Sequence, residues 1–265
     1  MTTIADRARE RVSSEAEAVE RRLEAIETFE RRVRDIPVDQ PNVSASRATN
    51  GMVPTLVRET TPAGRAGDTT DRCAVVRREF ARTIEPHSTA DIGHEETLVE
   101  TIAAEFTDDV ALALTTGGEW TQSVKTAVLE RTAERRSEAD GMRTALEAER
   151  QSVRNAIDVV DDVTEILLSV TEGSLLDWGF DRLRKKHERL ETAHERLESL
   201  LETRQRTLSE TANRYRKGGH RHRSIVEYLY AEFRVTYPIV SIATRLCRLC
   251  RQCQRTLRDQ LTRRV

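Results

Sequence analysis

Three of the four cysteines lie within the segment RLCRLCRQCQR, at residues 245–255. Cys247, Cys250 and Cys253 follow one another at the CxxC spacing that zinc sites and dithiol redox sites use. On a helix, however, these three positions climb about 9 Å along the axis. Thiolates so far apart cannot close around one zinc ion, whose bonds to sulfur are about 2.3 Å long.

A core position is the other interpretation of these cysteines. Cys250 and Cys253 share an apolar stripe with Leu246 and Leu257, where a free cysteine packs as a small hydrophobic residue. We therefore predict core cysteines and no metal site. A second interpretation stays open for Cys247, because three neighbouring arginines could lower its pKa and make the thiol reactive.

Two histidines are also candidates for chemistry. His187 and His194 are one heptad apart on an apolar seam, where they could form a pH-sensitive layer or join a metal site. Histidines between leucines are more often packed, with a ring nitrogen bound to a neighbour or to solvent, and we predict the packed state. The tripeptide at 94–96, His-Glu-Glu, lacks the second histidine of a zincin helix, and we interpret it as a helix start.

A basic turn, RYRKGGHRHR, could contact nucleic acid through arginines on phosphates and a tyrosine or histidine stacked on a base. The candidate contact residues are Arg214, Tyr215, Arg216, Lys217, Arg221 and Arg223. The alternative is internal docking, since 15 basic residues face four acidic ones from Arg204 onward, whereas the rest of the chain has a net charge of −13. We favour the internal alternative because no motif of a sequence-specific reader is present.

Motifs of enzymes and cofactor sites are absent from the sequence. It has no glycine-rich phosphate loop, no nucleophile elbow and no serine–histidine–acid spacing that stands out from chance. Paired acids such as Asp161-Asp162 are typical of solvated helix faces in a chain that is 33% charged. We therefore predict a protein that is not an enzyme, with no catalytic residue, no cofactor and no evident small-molecule substrate.

Composition indicates long helices that each bury only a stripe. Hydrophobic residues make up 37% of the 265 residues, and aromatic residues 4%. The longest apolar run, Val235 to Thr244, is far shorter than the roughly 20 residues needed to span a bilayer. The polar N-terminus and the four cysteines predict a reducing, cytoplasmic location. We expect no membrane association.

The first predicted helix carries a regular apolar stripe. Residues 3–35 contain no proline or glycine, and an apolar residue recurs at every seventh position. The stripe consists of Ala5, Val12, Val19, Ile26 and Val33. This is the pattern of a coiled-coil strand.

Two longer stripes predict a pair of helices. One runs from Met142 to Val170 and the other from Leu183 to Tyr215, and both alternate spacings of three and four. A short connection that contains Gly173 joins them, so we expect the helices to fold back on each other. The predicted fold is all-α: an elongated helical bundle built on a long antiparallel coiled-coil hairpin.

Capping residues mark the ends of further helices. Asp71 and Asp108 are expected to cap two short helices, and Thr121 the longest one. Another short helix is predicted from Glu95 to Phe106, and Pro238 suits the first turn of the last helix.

These signals divide the chain into five segments. They are an N-terminal coiled-coil helix (1–35), a flexible linker (36–70), a short-helix segment (71–118), the long antiparallel hairpin (119–216) and basic C-terminal helices (217–265). The linker is predicted from its four prolines and its many serines and threonines.

Several segments resemble one known family. They are VRREFARTI at 76–84, the run ETLVETIAAEFTDDVALAL at 96–114, WTQSVKTAVLE at 120–130, LEAER at 146–150, RQRTL at 204–208, and YLY with YP at 228–238. The chain resembles a haloarchaeal family of long helical proteins catalogued as a domain of unknown function. The resemblance implies no activity, cofactor or catalytic residue.

The sequence thus predicts a non-enzymatic helical scaffold or protein-interaction protein. Its association would be with a protein partner or with a second copy, through helices such as the first one. The alternative is a nucleic-acid-associated regulator that uses the basic C-terminal region.

Overall fold

The computed structural model describes residues 3–39, 71–88, 97–216 and 225–263, with the backbone alone at residues 210–216. These ranges contain helices and turns and no strand, which confirms the all-α prediction. The helices are α1 (Ile4–Asp35), α2 (Arg72–Thr83), α3 (Leu98–Glu105), α4 (Asp108–Thr115), α5 (Gln122–Thr171), α6 (Phe180–Arg216), α7 (Ile225–Leu229) and α8 (Pro238–Thr262). A single 3₁₀ turn, Glu85–His87, follows α2.

The chain forms two compact units. The first unit comprises Met1–Val19 and Gly141–Val265, and the second comprises Glu20–Asp140. Both boundaries fall inside helices, one within α1 and the other within α5. The five segments expected from the sequence stay a prediction.

Side chains cap the N-termini of two of these helices as predicted. The Asp71 carboxylate accepts a hydrogen bond from the Ala74 N–H at 2.9 Å, and the Thr121 hydroxyl accepts one from the Val124 N–H at 3.3 Å. Each bond satisfies a backbone donor that a first helical turn leaves without a partner.

The predicted starts of α3 and α4 are wrong. Thr97 caps α3 and forms a reciprocal capping box with Glu100, so the helix starts after the predicted Glu95, which lies outside the described residues. Thr107 caps α4 in place of Asp108. A cap residue must have non-helical backbone angles, and Thr107 is extended with φ −159° and ψ 162°. Asp108 lies in the first turn, where its carboxylate faces the positive end of the helix dipole.

Aromatic rings form the centre of the second unit. Phe29 of α1, Phe80 of α2 and Phe106 at the end of α3 pack with ring centroids 5.4 to 5.9 Å apart. Such pairs add about 0.5–1.5 kcal/mol each beyond the area that they bury. This cluster holds α1, α2 and the end of α3 against one another.

The start of the predicted linker is bound within the second unit. The Asp39 N–H donates to the Trp120 carbonyl at 2.9 Å, and its carboxylate accepts from the Trp120 N–H at 2.5 Å. Lys125 donates to the carbonyl of Ile36 at 2.7 Å. Residues 36–39 are thus hydrogen-bonded within the second unit, and residues 40–70 of the predicted linker lie outside the described ranges.

Helices α5 and α6 run antiparallel in the first unit. Glu149 pairs with Arg204 and Asp162 with Arg196, so the partner's number falls on α6 as the residue number rises on α5. Gly173 reverses the chain between them with a φ of 100°, a left-handed value that glycine adopts at little cost. The predicted break at this glycine is confirmed.

Helix α8 packs closely along α6. Small side chains permit the approach. They are Ala193 on α6 and Ala243, Cys247 and Cys250 on α8, all buried. Part of the first unit's core therefore lies between α6 and α8 and joins the leucine stripe of α6.

Candidate functional site

The three C-terminal cysteines are core residues. Cys250 is fully buried, Cys247 is 7% exposed, and Cys253 packs against the same cluster. Burial raises the pKa of all three thiols, that of Cys250 to about 11. The core prediction is confirmed. At Cys247, burial and the Glu198 carboxylate outweigh the nearby Arg251 and raise the pKa, which is opposite to the lowering that a reactive thiolate requires.

The two seam histidines differ in their surroundings. His194 accepts a hydrogen bond at Nε2 from the Arg251 Nε–H at 2.8 Å, and Glu198 lies 3.6 Å from its Nδ1. The packed state predicted for His194, with a ring nitrogen on a neighbour, is confirmed. His187 is half-buried, and its Nε2 has no hydrogen-bond partner among the described residues. No group of three possible metal ligands occurs in the described ranges.

The predicted nucleic-acid contacts lie where the structure describes no side chains. Arg214, Tyr215 and Arg216 belong to the last turn of α6, of which only the backbone is described. Lys217, like Arg221 and Arg223, falls outside the described residues.

A charged cluster missed by the sequence analysis lies inside the first unit. Glu149 and Arg204 form a bidentate ion pair, with both nitrogen–oxygen distances 2.6 Å and side chains 2% and 1% exposed. Arg204 also donates to the Ser152 hydroxyl at 2.9 Å. Tyr230, which follows α7, donates its hydroxyl proton to Glu149 at 2.6 Å. The cluster joins α5, α6 and the end of α7.

Electrostatic interactions favour the charged form of Arg204 and the protonated form of Tyr230. Burial disfavours the charged form of Arg204, but the hydrogen bonds and the charge of Glu149 outweigh it and raise the pKa of Arg204. Burial, followed by the charge of Glu149, also raises the pKa of Tyr230, so its hydroxyl keeps its proton. The residues of the cluster are almost entirely out of water and bind one another.

A sequence signal for the cluster did exist. Glu149 and Arg204 occupy positions in the two long apolar stripes, where an unpaired charge would be costly to bury. Opposite charges at facing stripe positions indicate a buried pair. Tyr230 lies outside both stripes, and only the tertiary fold brings it to the pair.

A second charged feature lies at the start of α6. Arg182, Lys185, Lys186 and Arg189 line a depression of about 460 Å³ together with Asp181. Just before the helix, Trp178 is buried, and the Arg182 guanidinium carbon lies 4.6 Å from its ring centroid. We refer to Arg182, Lys185, Lys186 and Arg189 as the cationic face.

Exposed apolar side chains occur at the same end of the α5–α6 pair. Leu168 is 58% exposed, Leu176 73% and Phe180 47%. The end of the hairpin thus carries both positive charge and exposed apolar side chains.

Comparison with known families gives one result for the chain. The family model described as Domain of unknown function (DUF7260) matches residues 3–254. The chain belongs to this family. Membership confirms the resemblance to a domain of unknown function that the sequence analysis stated. Comparisons with curated proteins and with solved structures find no match. No described helix is long and apolar enough to cross a membrane.

Proposed function

We propose that this chain is a non-enzymatic helical scaffold that binds a protein partner or a second copy through its helices. The observation that supports it is the closed cluster of Glu149, Arg204 and Tyr230. These groups have the chemistry of an active site, yet they are at most 2% exposed and bind one another. Their effect is to fix the register of three segments.

Register control is a recognised use of buried polar groups. An apolar seam alone tolerates shifts of one helix past another, whereas a bidentate pair is satisfied in one alignment only. A scaffold needs a single alignment because its outer surface must present a constant pattern to a partner. In this proposal, the role of Glu149, Arg204 and Tyr230 is to hold the helices in one alignment.

Three finer features belong to the same proposal. We propose that α5 and α6 pair as a coiled coil, that the protein works in the cytoplasm, and that its host is a haloarchaeon. Only four of the 43 basic residues are lysines, and avoidance of lysine is common in salt-loving archaea. Recovery of a protein partner should therefore be attempted at high salt.

An apolar replacement of the cluster tests the scaffold proposal. The variant Glu149→Leu/Arg204→Met/Tyr230→Phe removes the buried charges and keeps side-chain volume approximately. If the cluster sets the alignment of the helices that the partner contacts, the folded variant recovers less of the partner from host extract than the native chain does, at the salt of the host cell. A folded variant that recovers the partner unchanged would show that the apolar seam alone sets this alignment.

Self-association is tested by sedimentation of the full chain over a concentration series. A version lacking residues 1–70 is unsuitable, because Val12, Ile26, Phe29 and Val33 of α1 are buried and their loss would open the core. A monomer at every concentration, together with recovery of no protein partner, would overturn the scaffold proposal.

The nucleic-acid alternative predicts a different recovery. DNA or RNA would accompany the chain, and it would be lost when the five basic residues within 214–223 are changed to serine. Recovery of nucleic acid in that pattern would replace the scaffold proposal.

A further inference from the structure

The cationic face is a regular feature of helix α6. Its members, Arg182, Lys185, Lys186 and Arg189, follow the spacing i, i+3, i+4, i+7, which places side chains on one side of a helix. Over the seven steps from Arg182 to Arg189 the helix rises roughly 10 Å. Four positive charges thus lie along two turns of one face.

Asp181 lines the depression beside this face, and the described ion pairs of the nearby acids go to a residue outside it. Asp181 and Glu188 both lie near Arg184, at 3.8 and 3.9 Å, and Arg184 is not a member of the face. Among the described residues, Lys185 and Arg189 form no ion pair. Elsewhere exposed arginines do have acidic partners, for instance in the pair Arg196–Asp162.

The two remaining members are held by neutral groups. Lys186 donates to the carbonyl and to the hydroxyl of Ser169 on α5, both at 2.9 Å. Arg182 lies over the Trp178 ring, and Lys186 lies 5.8 Å from the same centroid. Cation–π contacts and neutral acceptors position a cation without cancelling its charge.

Concentrated positive charge also affects Lys186 itself. Burial first, then the charges of Arg189 and Arg182, lower its pKa, and Glu172 opposes them. An anion placed in the depression would relieve this repulsion.

Charge density distinguishes the possible ligands. A phosphate group brings up to two negative charges and several acceptor oxygens into a small volume, and arginine and lysine both bind it well. Carboxylates bring one charge each, so an acidic peptide would need four residues to match the face. The depression, of about 460 Å³, has room for two or three linked phosphates.

We propose that the cationic face of α6 binds a ligand with two or more adjacent phosphate groups. Such groups occur in small polyphosphates and along a nucleic-acid strand, and both sources share the chemistry that the face recognises. This site goes beyond the proposed scaffold function and does not depend on it. It is also distinct from the candidate contacts at residues 214–223.

Titration calorimetry of the full chain tests the proposal, with tripolyphosphate and a single-stranded oligonucleotide as probes. The variant Arg182→Gln/Lys185→Gln/Arg189→Gln removes three charges and retains Lys186 on Ser169. Its control, Arg9→Gln/Arg131→Gln/Arg196→Gln, removes three charges from exposed arginines that have acidic partners. Circular dichroism verifies that both variants are folded.

We expect the face variant to weaken phosphate binding at least about tenfold and the control to change it little, because hydrogen bonds to charged groups contribute strongly. With the oligonucleotide, the slope of log affinity against log salt should become smaller by roughly 0.7 for each lost contact. Binding of the oligonucleotide alone would identify a strand as the source, and binding of tripolyphosphate as well would identify the phosphates themselves.

Three results would overturn the proposal. The first is that neither probe binds at low salt. The second is equal weakening by the face variant and the control, which would indicate a general charge effect. The third is polyglutamate binding as tightly as tripolyphosphate, which would assign the face to an acidic protein.

Discussion

Removal of Arg204 should destabilise the first unit more than removal of any exposed arginine. The substitution Arg204→Met deletes the donors to both Glu149 oxygens and to the Ser152 hydroxyl. The Glu149 carboxylate is then left 2% exposed, with the Tyr230 hydroxyl as its remaining donor among the bonds of the cluster. Breaking a buried ion pair in this way costs about 3–5 kcal/mol.

A matched control lies on the same two helices. Asp162 of α5 and Arg196 of α6 also pair at 2.6 Å, but their side chains are 56% and 43% exposed. Water solvates both charges when the pair is broken, so Arg196→Met should cost about 0–1 kcal/mol. The two substitutions remove the same chemical group and differ in burial.

Urea unfolding followed by Trp178 fluorescence measures the difference. Trp178 belongs to the first unit and Trp120 to the second, so a Trp120→Phe background makes the signal specific to the first unit. We expect Arg204→Met to lower the free energy of unfolding by at least about 2 kcal/mol more than Arg196→Met.

A fully apolar replacement distinguishes the destabilisation caused by one unpaired buried charge from the net contribution of the intact ion pair to stability. Glu149→Leu/Arg204→Met/Tyr230→Phe leaves no buried charge, and such replacements are often neutral or stabilising by about 1–4 kcal/mol. Our reasoning would be refuted if Arg204→Met cost no more than Arg196→Met. It would also fail if the apolar variant were less stable than Arg204→Met.

Three further predictions follow from single residues. Burial raises the pKa of Cys250 from 9.0 to about 11. The folded state therefore keeps the thiol proton at a pH where the unfolded state loses it, and the free energy of unfolding should fall between pH 9 and 11, by up to about 3 kcal/mol. Urea unfolding of the native chain and of Cys250→Ala across this range measures the effect, and parallel curves of stability against pH would contradict the prediction. Gly173→Ala should lower the free energy of unfolding by about 1–2 kcal/mol, because the φ angle of this residue is 100°. Gly179→Ala should lower it less, because no atom lies within 4 Å of the added Cβ. Equal shifts of the thermal midpoint in the two variants would refute the argument. Thr107→Ala should destabilise the second unit by about 1 kcal/mol, because the variant loses the side-chain cap of α4. Unfolding followed by Trp120 fluorescence in a Trp178→Phe background measures this change. The absence of any change would show that the cap is dispensable.

Local signals in the sequence were sufficient for much of the fold. Asp71 and Thr121 cap their helices because a cap depends on a few neighbouring residues. Thr107 and Asp108 are both good caps, and the choice between them depends on the backbone entering α4, which the packing of the second unit determines.

The candidate sites were less accessible to sequence analysis. The charges of Glu149 and Arg204 are visible at stripe positions, but their pairing depends on the alignment of α5 with α6. The cationic face has a readable spacing, yet its excess of positive charge depends on which residues the neighbouring acids contact. Asp181 and Glu188 are near in sequence, and only the structure shows that both lie beside Arg184.

The division of α1 between two units has a consequence for synthesis on the ribosome. Arg11 of α1 donates to the carbonyl of Leu229, and Arg7 lies over the ring of Phe233. At roughly 5–20 residues per second, these contacts become available on the order of ten to forty seconds after α1 has been made. Phe29, in the other half of α1, meets Phe80 much sooner. The nascent chain can therefore complete its second unit early, while the first turns of α1 wait until residues 229–233 have been translated.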